Sequence, residues 1–425
     1  MNITQRLAVV FLFAFSTTLH AQTEWTEFRG KNGVGFLGDT KLPDKIDADS
    51  VAWKVPLPGK AWSSPVVWQN KIWLTNATED GKTMSAVCVD AQSGKVLHDI
   101  VMLENEEPAF CHPVNSYASC TPTIWEGKVY LHFGSYGTIC LDAMTAKEVW
   151  RRTDLPCDHF RGPGTSPVIH NGKVLLAFDG FDQQYVTALD ANTGKSQWRT
   201  DREINYGTDN GDFKKAYGTV SVFEVGGEEL MVSSAAIATI AYRPDTGKPV
   251  WTFYTQGMNS SARPQMTSGG VLIISNGMGL LYGVKPEGTG DISKTHQVWK
   301  LSKGVPTKST PVLVGDMMFM CNEKGVVSCV DAETGESHWQ QRLGKEFTTS
   351  PLATKDNVYF FDTEGNIFVV NASNQYKLVS QSKLGDGFMA TPAVVGGMMY
   401  LRSKSELFAI RNQGGPEAAQ KQARE

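Results

Sequence analysis

Short apolar runs alternate along this chain with two-residue polar or glycine turns, and the order of those signals repeats. Residues 309–339 show one unit in full. Thr310-Pro311 opens an apolar run, Gly315-Asp316 turns it, Met317 to Cys321 is a second run, and Asn322 to Gly325 turns again. Val326 to Val330 follows, and the turn Asp331 to Gly335 leads into a last run carrying Trp339. Runs of this length, punctuated in this way, predict four short antiparallel strands.

The strand-opening position recurs at Pro65, Pro122, Pro167, Val220, Pro264, Pro311, Pro351 and Pro392, each followed four to seven residues later by a turn pair. The Asp-x-x-x-Gly turn returns at Asp90–Gly94 and Asp190–Gly194, with looser versions at Asp142–Ala146, Arg243–Gly247 and Asn371–Gln375. A tryptophan stands eight residues after the turn's first residue at Trp150, Trp198, Trp251 and Trp339. Trp299 is displaced by an insertion, and His98 and Val379 replace the tryptophan in two copies. The last copy ends at Arg411 without a Trp strand, while a lone strand, Ser50 to Leu57, precedes the first. That pairing predicts an all-β ring closed by its N-terminal strand: an eight-bladed β-propeller of four-stranded antiparallel blades spanning 50–411.

Repeats of the form SP…G…[AC][VL]DAxTGKxxW resemble the pyrroloquinoline quinone-like (quinoprotein-type) propeller repeat and its tryptophan docking motif. The resemblance implies two functional branches. One comprises periplasmic dehydrogenases that hold the quinone and a calcium on the propeller axis. The other comprises non-catalytic propellers, such as the outer-membrane-protein assembly lipoprotein, that bind protein segments. The opening W-x-x-F-R-G-x-x-G-x-G, Trp25 to Gly35, is similar to a further group of exported propellers of unassigned role. The dehydrogenase branch implies a disulfide between neighbouring cysteines and a calcium-binding Glu, Asn and Asp set. The chain has no adjacent cysteine pair, and outside the connections around the second copy its inter-blade connections are short. The expectation is therefore a binding or scaffold module without redox cofactor or metal. The alternatives on the same face are a pyrroloquinoline quinone-dependent dehydrogenase, carrying calcium, and a polysaccharide-acting enzyme.

Residues 1–21 carry Arg6, an apolar core Leu7 to Phe15, and Leu19-His20-Ala21, the three regions of a secretory signal, so a periplasmic or secreted protein with no integral membrane segment after processing is expected. Residues 22–49 lack strand alternation and hold Gly30, Gly33, Gly35 and Gly38; residues 412–425 are a polar tail. Removing the signal lowers 40 basic residues to 39 against 44 acidic, a weakly acidic surface that argues against nucleic acid. A monomer is expected.

Cys88, Cys140 and Cys329 occupy equivalent third-strand positions and read as buried core residues. Cys111, Cys120 and Cys157 fall in long connections, where export permits a disulfide, Cys111 to Cys120 being the simplest pair.

Loops entering the innermost strands of a propeller collect at one mouth of its channel. In these loops stand the aromatic residues Trp62, Tyr117, Tyr217, Phe347 and Phe388 and the donors His159, Arg161, Lys215, Arg263 and Lys308. A cationic, aromatic mouth suits a glycan, an anionic small molecule or an envelope protein segment bearing a carboxylate. Asp179 to Asp182 and Tyr206 to Asp212 offer hard oxygens, but the order of a calcium loop is not met. Ser63, Ser64, Ser166 and Ser350 read as repeat framework, and no catalytic residue is assigned.

Overall fold

In the computed structural model, which describes residues 24–411, eight sheets follow one another along the chain. The expected signal segment and tail lie outside the described residues. The sixth blade is the unit anticipated from residues 309–339, with strands Val312–Val314, Met317–Cys321, Val326–Asp331 and Ser337–Arg342 in antiparallel order. Its two middle strands are buried nearly throughout, because neighbouring blades cover both of their faces. That is why they read as continuous apolar runs rather than alternations. The outermost strand is exposed except at Trp339.

The repeat's Asp, Gly and Trp form one contact split between two units. The Asp331 side chain accepts the N–H groups of Glu333 (3.0 Å) and Thr334 (2.8 Å), which fixes the turn. Gly335 takes φ 74°, and a Cβ there would lie 3.0 Å from the indole of Trp299 in the preceding blade. The same indole donates from Nε1 to the carbonyl of Ala332 (3.1 Å). Trp150 packs on Gly194 and bonds Ala191 in the same manner. Four seams place a glycine in the left-handed region under an indole, at Gly94, Gly194, Gly247 and Gly335, while Trp339 donates to the Ser373 carbonyl (3.0 Å) over a turn without glycine.

Ring closure follows the same chemistry. Val51–Pro56 pairs antiparallel with Glu406–Ile410 as the fourth strand of the last blade. It brings Trp53, which lies on Gly94 and donates to the Ala91 carbonyl (3.1 Å). The closing strand thus supplies the indole that the eighth copy lacks. The insertion ahead of Trp299 contributes Gly290–Asp291, a fifth, parallel strand on the fourth blade.

The segment before the ring crosses one end of the channel. Trp25 exchanges two backbone hydrogen bonds with Val67 of the first blade, both 2.8 Å, and the Thr26 carbonyl accepts from Ile124 of the second. On the far side, Leu37 and Gly35 bond Ala353 of the seventh blade. Between them Arg29, fully buried, donates to the carbonyls of Gly33 (3.0 Å), Val34 (3.1 Å), Thr310 (3.2 Å), Pro311 (2.9 Å) and Pro351 (3.1 Å). The glycine spacing now has a cause. A Cβ on Gly33 would fall 2.2 Å from the Arg263 guanidinium, and one on Gly35 would fall 2.7 Å from that of Arg29. The Trp25–Gly35 motif is a plug.

Candidate functional site

The first strands of successive blades touch one another around the axis, and the residue entering each is a hydroxyl in seven blades. These hydroxyls link the blades in a circle. The N–H of Ser64 donates to Thr121 Oγ1 (3.0 Å), Thr121 to Ser166 (2.9 Å), and Ser166 to Thr219 (3.0 Å). Across the ring Thr310 donates to Ser350 (2.9 Å), Ser350 to Thr391 (3.0 Å), and Thr391 back to Ser64 (3.0 Å). The fifth blade has Arg263 at this position instead. Its N–H donates to Thr310 Oγ1 (2.9 Å), while its guanidinium bonds Glu27 (2.8 Å) and the Phe28 carbonyl (3.0 Å) of the plug. The crown is interrupted where the plug is fastened.

Above the plug lies a cavity of about 480 Å³. Six of the crown residues line it, with Phe28 of the plug and Trp62, Arg161, Tyr217, Asn259 and Lys308 from the entering loops. No Asp or Glu stands in that wall. His112, also in the wall, has its pKa held below the usual imidazole value, first by burial and then by the charges of Arg161, Lys308, Lys60 and Lys215. The cup thus carries a positive field in a chain of net negative charge. Three buried polar atoms of its lining residues have no partner among the described residues: Arg161 Nε, Tyr217 Oη and Asn259 Oδ1. Buried polar groups normally find partners, so these mark a place for one.

Of the ten mouth residues anticipated from sequence, Trp62, Arg161, Tyr217 and Lys308 line the cup. The other six serve the scaffold. Phe347 packs between Phe360 and Phe368, and Phe388 against Phe361; both are buried, since a ring entering the interblade space gains more than one left at the mouth. Tyr117 donates from its hydroxyl to the Ala109 carbonyl (2.8 Å) and packs edge-on to Tyr136. His159 accepts the Ser135 N–H (3.0 Å) and stacks on Phe178. Lys215 is buried against Asp212, with its ammonium 4.5 Å from the centre of the Phe160 ring, and desolvation lowers its pKa to about 8. Asp212 also accepts from Arg161 (3.2 Å), so Lys215 acts on the cup only through that carboxylate.

The disulfide considered between Cys111 and Cys120 is not formed. All seven cysteines are free; Cys120 is buried, while Cys111 turns its thiol toward the Arg161 carbonyl (3.7 Å). Cys88, Cys140 and Cys329 are buried. The acidic stretch from Asp179 is structural as well: that carboxylate forms a buried pair with Arg202 (2.6 and 2.8 Å).

The crown and Asn259 escaped the sequence reading as ligand-facing groups. The signal was present, since a hydroxyl or arginine precedes every strand-opening position, but it reads equally as framework, and the circle it forms crosses eight repeats.

A family model described as outer membrane protein assembly factor BamB matches residues 45–203 and 277–424. The chain belongs to that family. The BamB of Moranella endobia is 24% identical over 255 residues, 56% of this chain and 62% of the relative, so the match spans less than two thirds of that protein. The quinone alcohol dehydrogenase subunit of Komagataeibacter europaeus is 36% identical over 137 residues, 29% of this chain but 18% of that protein. Among solved structures, a europium-containing methanol dehydrogenase superposes with a TM-score of 0.70 at 14% identity, covering 90% of each chain. BamB from Moraxella catarrhalis superposes with a TM-score of 0.61 at 16% identity, covering 85% of this chain and 99% of its own. These likenesses show the propeller fold that BamB shares with quinone enzymes.

The wall of the cup does not fit a quinone held with a hard cation. Calcium takes oxygen ligands dominated by carboxylates, and the lining supplies none. Asp212, the carboxylate bonded to Arg161, is taken up by Lys215 as well. Among the described residues no group of three or more His, Cys, Asp or Glu side chains is placed to hold a metal ion, and no helix is long and apolar enough to cross a membrane.

Proposed function

We propose that this propeller is a binding module of the cell envelope that takes its ligand in the axial cup and works without a redox cofactor. The observation that carries the reading is the cup's composition: a closed floor, a ring of hydroxyls, cationic side chains and no carboxylate. Such a surface recognises an acceptor-rich, negatively charged group, and the carboxylates nearest it, Asp212 and Glu346, are engaged by Arg161 and Lys308 rather than presented to a hard cation. Relatives named for outer membrane protein assembly support an envelope setting, and a scaffold role toward envelope proteins follows from that likeness. A second reading rests on the match to the quinone alcohol dehydrogenase subunit, and on it pyrroloquinoline quinone would be held here through Arg161 and Lys308.

Thermal shift and calorimetric titration separate the two. The processed protein is titrated with pyrroloquinoline quinone plus calcium, and in parallel with acidic and neutral sugars and short envelope-protein peptides. Stabilisation by a sugar or peptide, absent with the quinone and lost in Arg161→Gln, is the expected result. Tight quinone binding that depends on calcium would overturn the reading.

A further inference from the structure

The balance of donors and acceptors around the cup narrows what it takes. Each of the six crown hydroxyls in the wall accepts a backbone N–H from a neighbouring blade at 2.9–3.0 Å, and among the described residues none of them donates. A hydroxyl has one hydrogen to give. Six O–H groups around one axis therefore remain free to donate. Arg161 Nε and Tyr217 Oη add two buried donors without partners, and the half-buried Lys308, paired with Glu346 (3.1 Å), adds the remaining hydrogens of its ammonium. Against these, Asn259 Oδ1 is a buried acceptor that no group among the described residues satisfies.

A ligand matching this wall carries many acceptor oxygens, a negative charge for Arg161 and Lys308, and at least one hydrogen for Asn259. Inorganic sulfate fails the last condition. An aromatic or aliphatic carboxylate fails the first, since its one carboxylate leaves most of the crown facing apolar carbon, at the cost of buried unmade hydrogen bonds. Phe28 at the floor and Trp62 in the wall present apolar ring surface of the kind that packs on the C–H face of a pyranose. The volume, about 480 Å³, lies within the range of roughly 300–1,000 Å³ in which small ligands are held.

From this balance we infer that the cup is a site for a hexuronate, a sugar bearing one carboxylate, either free or at the end of an acidic polysaccharide. The inference rests on the axial-binding reading above and names its ligand class. The carboxylate meets Arg161 and Lys308, the sugar oxygens accept from the crown and from Tyr217, and one sugar hydroxyl donates to Asn259. Asp212, bonded to both Lys215 and Arg161, is a positioning residue that holds the guanidinium with Nε free.

The test is calorimetric titration of the processed protein with galacturonate, galactose and trigalacturonate, repeated on Arg161→Gln and Tyr217→Phe, with melting curves as a control for folding. Galacturonate should bind at least ~10-fold more tightly than galactose, and Arg161→Gln should cancel that preference without moving the melting point, as expected for a charge-assisted bond. Tyr217→Phe should weaken both sugars by a few-fold. Equal affinity for monomer and trimer assigns the free acid; a trimer favoured by ~10-fold or more assigns a polysaccharide end. Equal binding of galactose and galacturonate, or no change in Arg161→Gln, overturns the hexuronate while leaving axial binding standing. If no sugar or peptide binds in a way that responds to Arg161 or Tyr217, both the hexuronate and the axial reading fall.

Discussion

Each end of the axial channel is built around an arginine, and the two are treated in opposite ways. At the plugged end, Arg29 is fully buried and its guanidinium donates to five carbonyls drawn from the plug and the sixth and seventh blades. Burial, and next the neighbouring Arg263, pull its pKa down to about 9, so it stays charged at neutral pH. At the open end, Arg161 shares one carboxylate with Lys215 and keeps Nε without a partner. A polar group whose bonds are all made inside the protein stabilises it; one held in place with a bond unmade is available to something else. The difference separates scaffold from site more sharply than residue type or exposure does.

Substitutions at the two ends should have correspondingly different effects. The largest loss should come from Arg29→Ala, which strips five carbonyls, four of them in buried bonds, of their donor and should cost more than about 5 kcal/mol of unfolding free energy in denaturant melts. A near-native midpoint would show that the plug does not hold the ring. Trp339→Ala removes a seam indole and should cost ~3–5 kcal/mol while leaving ligand affinity unchanged; a parallel loss of affinity would tie the seam to the cup. Acid acts at the open end. His132 and His159 are kept neutral by burial, with pKa values of about 3 and about 4, so the unfolded chain binds more protons as pH falls below 6.5. Stability should therefore decline from about pH 6.5 down to about pH 4, by at most ~1.4 kcal/mol per unit for each histidine. His132→Gln should flatten the slope, and an unchanged slope would place the acid sensitivity elsewhere. The smallest effect is expected for Lys308→Gln. Its pair with Glu346 (3.1 Å) is half exposed, so stability should move by less than about 1 kcal/mol while affinity for an anionic ligand falls.

The ring was legible because blade after blade repeats the same order of strands and turns, four of the seams setting an indole on a glycine. Gly335 must lie under Trp299, and Gly194 under Trp150, so the Asp-x-x-x-Gly and Trp signals recur in register and even reveal the missing Trp supplied by Trp53. The mouth was legible only in part. Phe347 stands four residues before its strand-opening Pro351 and Trp62 three before Pro65, and that offset of one residue sends the first between blades and the second, like Thr348, to the cup wall. Arg263 directly precedes its opening proline and Arg161 stands six residues before Pro167, but that Arg263 is claimed by Glu27, more than two hundred residues away, is not visible in the repeat.

The plug also sets a timetable for folding. Trp25 to Gly38 lies ahead of every blade in the chain, yet its partners include Thr310, Pro311, Pro351 and Ala353. Val51 to Pro56 waits likewise for Glu406 to Ile410. Contacts this distant along the chain form slowly, because the loop they close is almost the whole protein. During synthesis the earliest segments stay without their final partners until the last blades emerge, and the lone closing strand is for that interval an unpaired edge open to other chains. Whatever shields that edge determines how much of the protein reaches the closed ring.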